Sequence, residues 1–167
     1  INAAGILFPD QTQQKTAYLP GSIEVYDRSA SIAVTTTPTI LAPASQMNAN
    51  GITYTPATGV FTWQYAGSFA LSLVVNAIAS SAGQTVYIYA QSNTGSGWTN
   101  IPNSGKSYQL TNGQVTQVVY SGAVVRTAGQ QIRYYIYSND SHVTLQTSTL
   151  PGVTPTVYIP AIRIQYA

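Results

Sequence analysis

Ala57-Thr58-Gly59-Val60-Phe61-Thr62-Trp63-Gln64-Tyr65-Ala66-Gly67-Ser68-Phe69-Ala70-Leu71-Ser72-Leu73 is the stretch that decides the fold. Phe61, Trp63 and Tyr65 alternate with Val60, Thr62 and Gln64, and after the break at Ala66-Gly67 the pattern resumes with Phe69, Leu71, Leu73, Val75 and Ala77. A period of two puts successive side chains on opposite faces of a strand, whereas a helix needs apolar residues three and four apart. Two consecutive β-strands follow, the first entered through a turn at Thr58-Gly59.

The same pattern runs outward along the chain. Val86, Ile88 and Ala90 face opposite Tyr87 and Tyr89, and Ile132, Tyr134 and Ile136 face opposite Arg133, Tyr135 and Tyr137. Val115 to Val125 is another β-rich run, predicted to be entered through a hairpin turn at Asn112-Gly113. Ser92 to Gly105 reads as a Gly/Asn/Ser-rich loop with Trp98 in its middle, and Ser138-Asn139-Asp140-Ser141 as a turn before Val143 and Leu145. Val157, Ile159, Ile162, Ile164 and Tyr166 close the chain in strand pattern. About eight short strands at regular spacing predict an all-β sandwich or barrel. Residues 1–21 differ: Gln11 to Lys15 has no apolar face, and Pro20-Gly21 punctuates the chain ahead of Ile23. A stalk over 1–21 and a compact head over 22–167 is the economical division.

Composition narrows the function. Only 6% of the 167 residues are charged, against about a quarter in ordinary domains, while 44% are hydrophobic and 13 are tyrosine. That much apolar material excludes disorder. Thr, Ser, Gln and Asn, 60 residues together, supply the polar surface instead. A net charge of +2 is too small for a nucleic-acid binder that works by phosphate neutralisation. No apolar run is long enough for a membrane-spanning helix, so no membrane insertion is expected. With no cysteine there is neither a disulfide framework nor a thiolate zinc site. The chain opens at Ile1 without Met, which reads as a piece of a longer protein. The 77 residues from Ser29 to Gly105 carry no charge at all. An isolated domain usually scatters both signs over its surface, so this block is expected either to be covered by copies of itself or to be solvated through amides and hydroxyls.

Two motifs are familiar. Gly5-Ile6-Leu7-Phe8-Pro9-Asp10-Gln11-Thr12-Gln13-Gln14-Lys15-Thr16-Ala17 resembles a short element found ahead of the terminal domain in bacteriophage tail fibres. Phe8, Pro9, Asp10, Thr12, Gln14, Thr16 and Ala17 match it, with Gln11 where glycine is usual. Tyr54-Thr55-Pro56-Ala57-Thr58-Gly59-Val60-Phe61-Thr62, followed by Ala66-Gly67-Ser68-Phe69, is similar to the strand–turn–strand of tumour-necrosis-factor-like and complement-type globular heads, with Ala66 in place of their proline. Gly129-Gln130-Gln131-Ile132 and Ile162-Arg163-Ile164-Gln165-Tyr166 extend that similarity loosely over residues 22–167.

Together the resemblances imply a jelly-roll β-sandwich head, homotrimeric, at the tip of a phage tail fibre in the virion. Such a head attaches to a host-surface receptor, a glycan or a protein, with no chemical step. Tyr87, Tyr89, Tyr135 and Tyr137 are the candidates for the trimer interface, because tyrosine buries apolar area yet tolerates a wet rim. The alternative is an extracellular or cell-surface adhesin or matrix module of bacterial origin. A glycan-degrading enzyme is a third reading.

Catalytic groups are scarce. His142 is the sole histidine, and no serine sits in a Gly-x-Ser-x-Gly elbow. Glycoside hydrolysis needs two carboxylates about 5–10 Å apart, and the four acids are Asp10, Glu24, Asp27 and Asp140. No enzyme activity, cofactor or metal is expected; Asn139-Asp140-Ser141 reads as a plain Asx turn, or at most as a weak calcium site resting on one acid. Binding is the expected role. Trp98, in its polar loop, either stacks on a sugar ring or covers a sheet edge. Asn93, Asn100, Asn103 and Tyr108 nearby, with Asn139 and His142, complete the candidate receptor-binding set, and the lack of charge favours a neutral glycan.

Overall fold

The computed structural model describes residues 21–26, 31–146 and 161–167, together with two short strands at 6–7 and 13–14. The rest of the stalk motif and the closing positions Val157 and Ile159 lie outside the described residues, as do Asp10, Lys15, Asp27 and Arg28. Among the described residues every regular element is a strand. In chain order these are β1 Ile6–Leu7, β2 Gln13–Gln14, β3 Ser22–Tyr26, β4 Ser31–Val34, β5 Thr39–Ile40, β6 Ser45–Asn50, β7 Ile52–Thr55, β8 Val60–Trp63, β9 Gly67–Ala79 and β10 Gln84–Asn93. β11 Trp98–Asn100, β12 Lys106–Leu110, β13 Val115–Arg126, β14 Gln131–Ser138, β15 Val143–Gln146 and β16 Ala161–Tyr166 complete them.

β1 and β2 pair with each other, Ile6 opposite Gln14 and Leu7 opposite Gln13. The remaining strands form two antiparallel sheets of seven. The first runs β11-β10-β14-β8-β7, with β12 also beside β10 and β5 also beside β14. The second runs β4-β15-β9-β16-β3-β6, and β13 lies along the other side of β9. The long strand β9 is its spine: β13 pairs with it from Gly67 to Ile78, while β16 and β15 share its opposite edge end to end.

The period-two reading accounts for which faces meet. Val86, Ile88 and Ala90 of β10, and Ile132, Tyr134 and Ile136 of β14, point inward from the first sheet; Phe69, Leu71, Leu73, Val75 and Ala77 of β9, with Ile162 and Ile164 of β16, point inward from the second. Each fully buried large side chain contributes about 1.5–3 kcal/mol. Aromatic rings lock the layer: Phe61 tilts against Tyr54 at 4.6 Å, Trp63 meets Phe69 edge-on at 5.5 Å, and Tyr120 of the second sheet meets Tyr134 of the first at 5.5 Å.

Three local expectations are corrected. Asn112-Gly113 does form a tight turn, with the Gln114 N–H donating to Thr111 O at 3.1 Å and Gly113 at positive φ. It is not a hairpin, because β12 pairs with β10 and β13 with β9, so the turn carries the chain from one sheet to the other. Trp98 opens β11 rather than sitting mid-loop, in register with Asn93. Tyr65 lies past the end of β8 and is exposed, because the chain turns away there to begin β9.

Four buried polar atoms meet no hydrogen-bond partner among the described residues, namely Trp63 Nε1, Gln84 Oε1, Arg126 Nε and the Tyr134 hydroxyl. Tyr134 is fully buried. Burial, then the neighbouring Tyr120, pushes its ionisation well above the ordinary phenol range, against a smaller opposing pull from Arg126. The folded state therefore holds this proton more tightly than the unfolded state. Its protonation state costs no stability below the unfolded value, about pH 10, and stability falls as pH rises from there toward the raised folded value. Tyr134→Phe should raise neutral-pH stability by about 1 kcal/mol through removal of the unpaired hydroxyl. Thermal melts from neutral to about pH 11 check this: the variant should lose less stability on the alkaline side, and parallel losses would refute the assignment.

Candidate functional site

The outward face of the first sheet is built in rows, because antiparallel register sets like positions of β10 and β14 side by side. Tyr87 pairs with Tyr137 and Tyr89 with Tyr135. Their rings stack at 4.7 Å and 16°, and at 5.0 Å and 5°, and Tyr89 meets Tyr137 edge-on at 6.4 Å. All four are half-buried. Removal from water, then the like-charged Tyr135 and Tyr137, raises the Tyr89 pKa against a smaller opposing effect of Arg133. Tyr89 therefore acts as a neutral hydrogen-bonding group at physiological pH.

Next along the sheet is an amide and guanidinium row. Arg133 donates from Nε and Nη2 to Gln91 Oε1 at 3.1 and 2.8 Å, and Gln91 Nε2 donates to Asn100 Oδ1 at 3.0 Å. The guanidinium lies 4.0 Å from the Trp98 ring centre and 5.1 Å from that of Tyr135. Trp98 is thus half-buried against Arg133, which favours the edge-covering role weighed for it above. One row further, Asn93 Nδ2 donates to Gln131 Oε1 at 3.3 Å, and Gln131 Nε2 to Thr62 Oγ1 at 3.2 Å. Asn93 Oδ1 also accepts the N–H groups of Gly95 and Gly97, at 2.9 and 3.2 Å, and so shapes the turn that returns the chain to Trp98.

Beside the tyrosines lies an open cleft of about 490 Å³, lined by Tyr87, Tyr89, Tyr137, Asn100, Ile101 and the segment 104–107. Ser104 pins that segment to β10: its Oγ accepts from Ala90 N at 3.1 Å and donates to Ala90 O at 3.2 Å. Lys106 is the one charged residue in the lining.

The candidate binding residues therefore separate. Trp98, Asn93 and Asn100 gather at one end of β10, and Asn103 holds a left-handed turn nearby with φ of 60°. Tyr108 points into the sandwich, and its hydroxyl donates to Val119 O of the facing sheet. Asn139 and His142 lie at the other end of β10. There Asn139 Oδ1 accepts from Thr85 N at 2.7 Å and its Nδ2 donates to Gly83 O at 3.1 Å. His142 Nδ1 contacts Asp140 Oδ1 at 2.8 Å on the surface, and this hydrogen bond holds the Asp140 carboxyl below the usual range. Glu24 is paired with Arg163 of the second sheet at 2.8 Å, so the two described acids have separate partners.

A second surface was not anticipated. The outward face of β13 shows Val115, Val119 and Val125, which are 54%, 39% and 71% exposed. On β9 beside them stand Ile78, Val74 and Ser68. Gln117 opposite Asn76, Ser121 opposite Ser72 and Ala123 opposite Ala70 fill the rows between, so this face carries no charge across the two strands.

No protein-family profile and no curated protein sequence matches the chain. Solved structures do. The Eiger TNF of S. frugiperda superposes with a TM-score of 0.61 at 8% identity, covering 89% of this chain and 92% of that one. Murine APRIL superposes with a TM-score of 0.58 at 9% identity, covering 89% and 100%. The fold is a tumour-necrosis-factor-like jelly roll, as the Tyr54–Phe69 motif implied.

Proposed function

We propose that the chain is the receptor-binding head of a bacteriophage tail fibre, homotrimeric and borne on its residues 1–21 as a stalk, which attaches the virion to a host-surface glycan without a chemical step. The exposed aliphatic face of β9 and β13 carries this reading. A pair of strands without charge, ending in the twelve-residue strand β13, invites pairing and association when left bare, and an identical copy is the occupant such a chargeless pair suits. The jelly-roll fold supports the reading, as does the tail-fibre motif at residues 5–17. The tyrosine face is the weaker candidate for contact between copies, since its rings already stack on one another.

Light scattering on the eluting protein tests the assembly: a mass near three times 17.8 kDa is expected, and a stable monomer at micromolar concentration overturns it. Labelled protein should also coat cells of at least one strain in a bacterial panel and release no reducing ends from its polysaccharide. Sugar release would return the enzymatic reading.

A further inference from the structure

Resting on that reading, we infer that the cleft beside Tyr87 and Tyr89 is the saccharide site, and that it takes a neutral pyranose ring laid against the tyrosine faces. Each of these rings stacks on a β14 tyrosine on one side, so its other face looks across β10 toward β12. There the covering residues are small. Ser107 is the register partner of Tyr87, and Gly105 precedes β12 at the level of Tyr89. A Cβ built on Gly105 would meet nothing within 4 Å. The two phenol faces therefore remain open because the sequence places no bulk beside them.

The chemistry of the walls selects the ligand. A pyranose offers an apolar C–H face and a rim of hydroxyls, and the cleft offers aromatic faces and a rim of uncharged polar groups. Asn100 gives its Oδ1 to Gln91 and keeps its Nδ2 for a ligand, while Ser107 and the phenol hydroxyls can donate or accept. The volume, about 490 Å³, falls within the range of small-molecule sites. No acid lines it, and Lys106 is its single charge. Arg133 is already spanned by Gln91 and two rings, so the strongly cationic lining that a polyanion needs is missing. A proline-rich peptide also uses aromatic grooves, but it would leave the amide and hydroxyl rim without partners.

The test follows the tyrosine ring resonances of ring-labelled protein. Four probes are titrated to millimolar concentration: maltohexaose, chitohexaose, a hexagalacturonate and a proline-rich decapeptide. At least one neutral hexaose should shift Tyr87 and Tyr89. Gly105→Trp, which fills the cleft from a position with open space, should weaken that binding about 10-fold or more with an unchanged thermal melt. Tyr89→Ala, at a half-exposed site, should do the same by removing the platform. Response to the hexagalacturonate or the peptide alone overturns the inference, and so does neutral binding that survives both variants. Protein that coats bacterial cells but shows no ring shift sinks this site and leaves the receptor-binding reading standing; protein that does neither sinks both.

Discussion

The double substitution Val119→Lys with Val125→Lys is expected to take the assembly apart, giving a species of 17.8 kDa where the parent elutes at three times that mass. Both side chains project from the outward face of β13 opposite Val74 and Ser68 of β9, away from the core, so the folded subunit itself should tolerate them. Within a contact between copies, each ammonium would be stripped of water with no acid on β9 or β13 to receive it, the nearest on this side of the sheet, Glu24, being paired with Arg163. An uncompensated charge in such a setting costs about 3–5 kcal/mol, a loss of roughly 10²–10³ in association constant or more for each copy of the contact. Light scattering reads the mass, and the monomer's β-sheet circular dichroism should be unaltered. If the double variant keeps the parent mass, the β9–β13 face is not the contact. Attention then returns to the four stacked tyrosines.

Gly59→Ala should be the most damaging single methyl in the molecule's turns. Gly59 closes the four-residue connection between β7 and β8 with φ of +63°, after the Thr58 N–H has donated to Thr55 O at 3.1 Å. An L-residue in that conformation costs about 1–2 kcal/mol. The added Cβ would lie 2.6 Å from Ile40 Cγ2 and 3.0 Å from Leu41 O, and overpacking of this kind adds about 1–3 kcal/mol. At about 2–4 °C per kcal/mol for a chain of this size, the melting temperature should fall by roughly 5–15 °C. A drop smaller than about 2 °C would mean that the segment carrying Ile40 and Leu41 is free to move aside, which its pairing with β14 argues against.

Val119, Val125 and Gly59 mark what could and could not be read from the residues alone. Gly59 was visible, because a glycine between a threonine and an alternating aromatic run is a local signal with a local cause. So was the division of β10 and β14 into buried aliphatic and outward tyrosine faces. Pairing was not visible. Asn112-Gly113 has the composition of a hairpin, and nothing nearby records that β12 and β13 belong to different sheets; that depends on partners about twenty or more residues away. Trp98 was assigned to a loop because glycines surround it. Yet the alternating residues on both sides of Gly95 and Gly97 are what a short hairpin requires, and that signal was available. The tyrosine stacks and the bare valine face both arise from register between strands distant in sequence, so neither could be found by inspecting one strand at a time. Tyr108 shows the same limit: its neighbours made it look like a ligand contact, while its strand direction sends the hydroxyl to Val119.

β16 lies between β3 and β9, so strands from the chain's two ends meet at the middle of the second sheet. A ribosome releasing this polypeptide must therefore deliver residues 161–166 before that layer can close, and until then β3 and β9 lack the strand that joins them. Long-range closure of this kind slows folding. It also means that a product cut short before β16 cannot complete the layer bearing the valine face, so a truncated chain would lack the surface through which copies are proposed to meet.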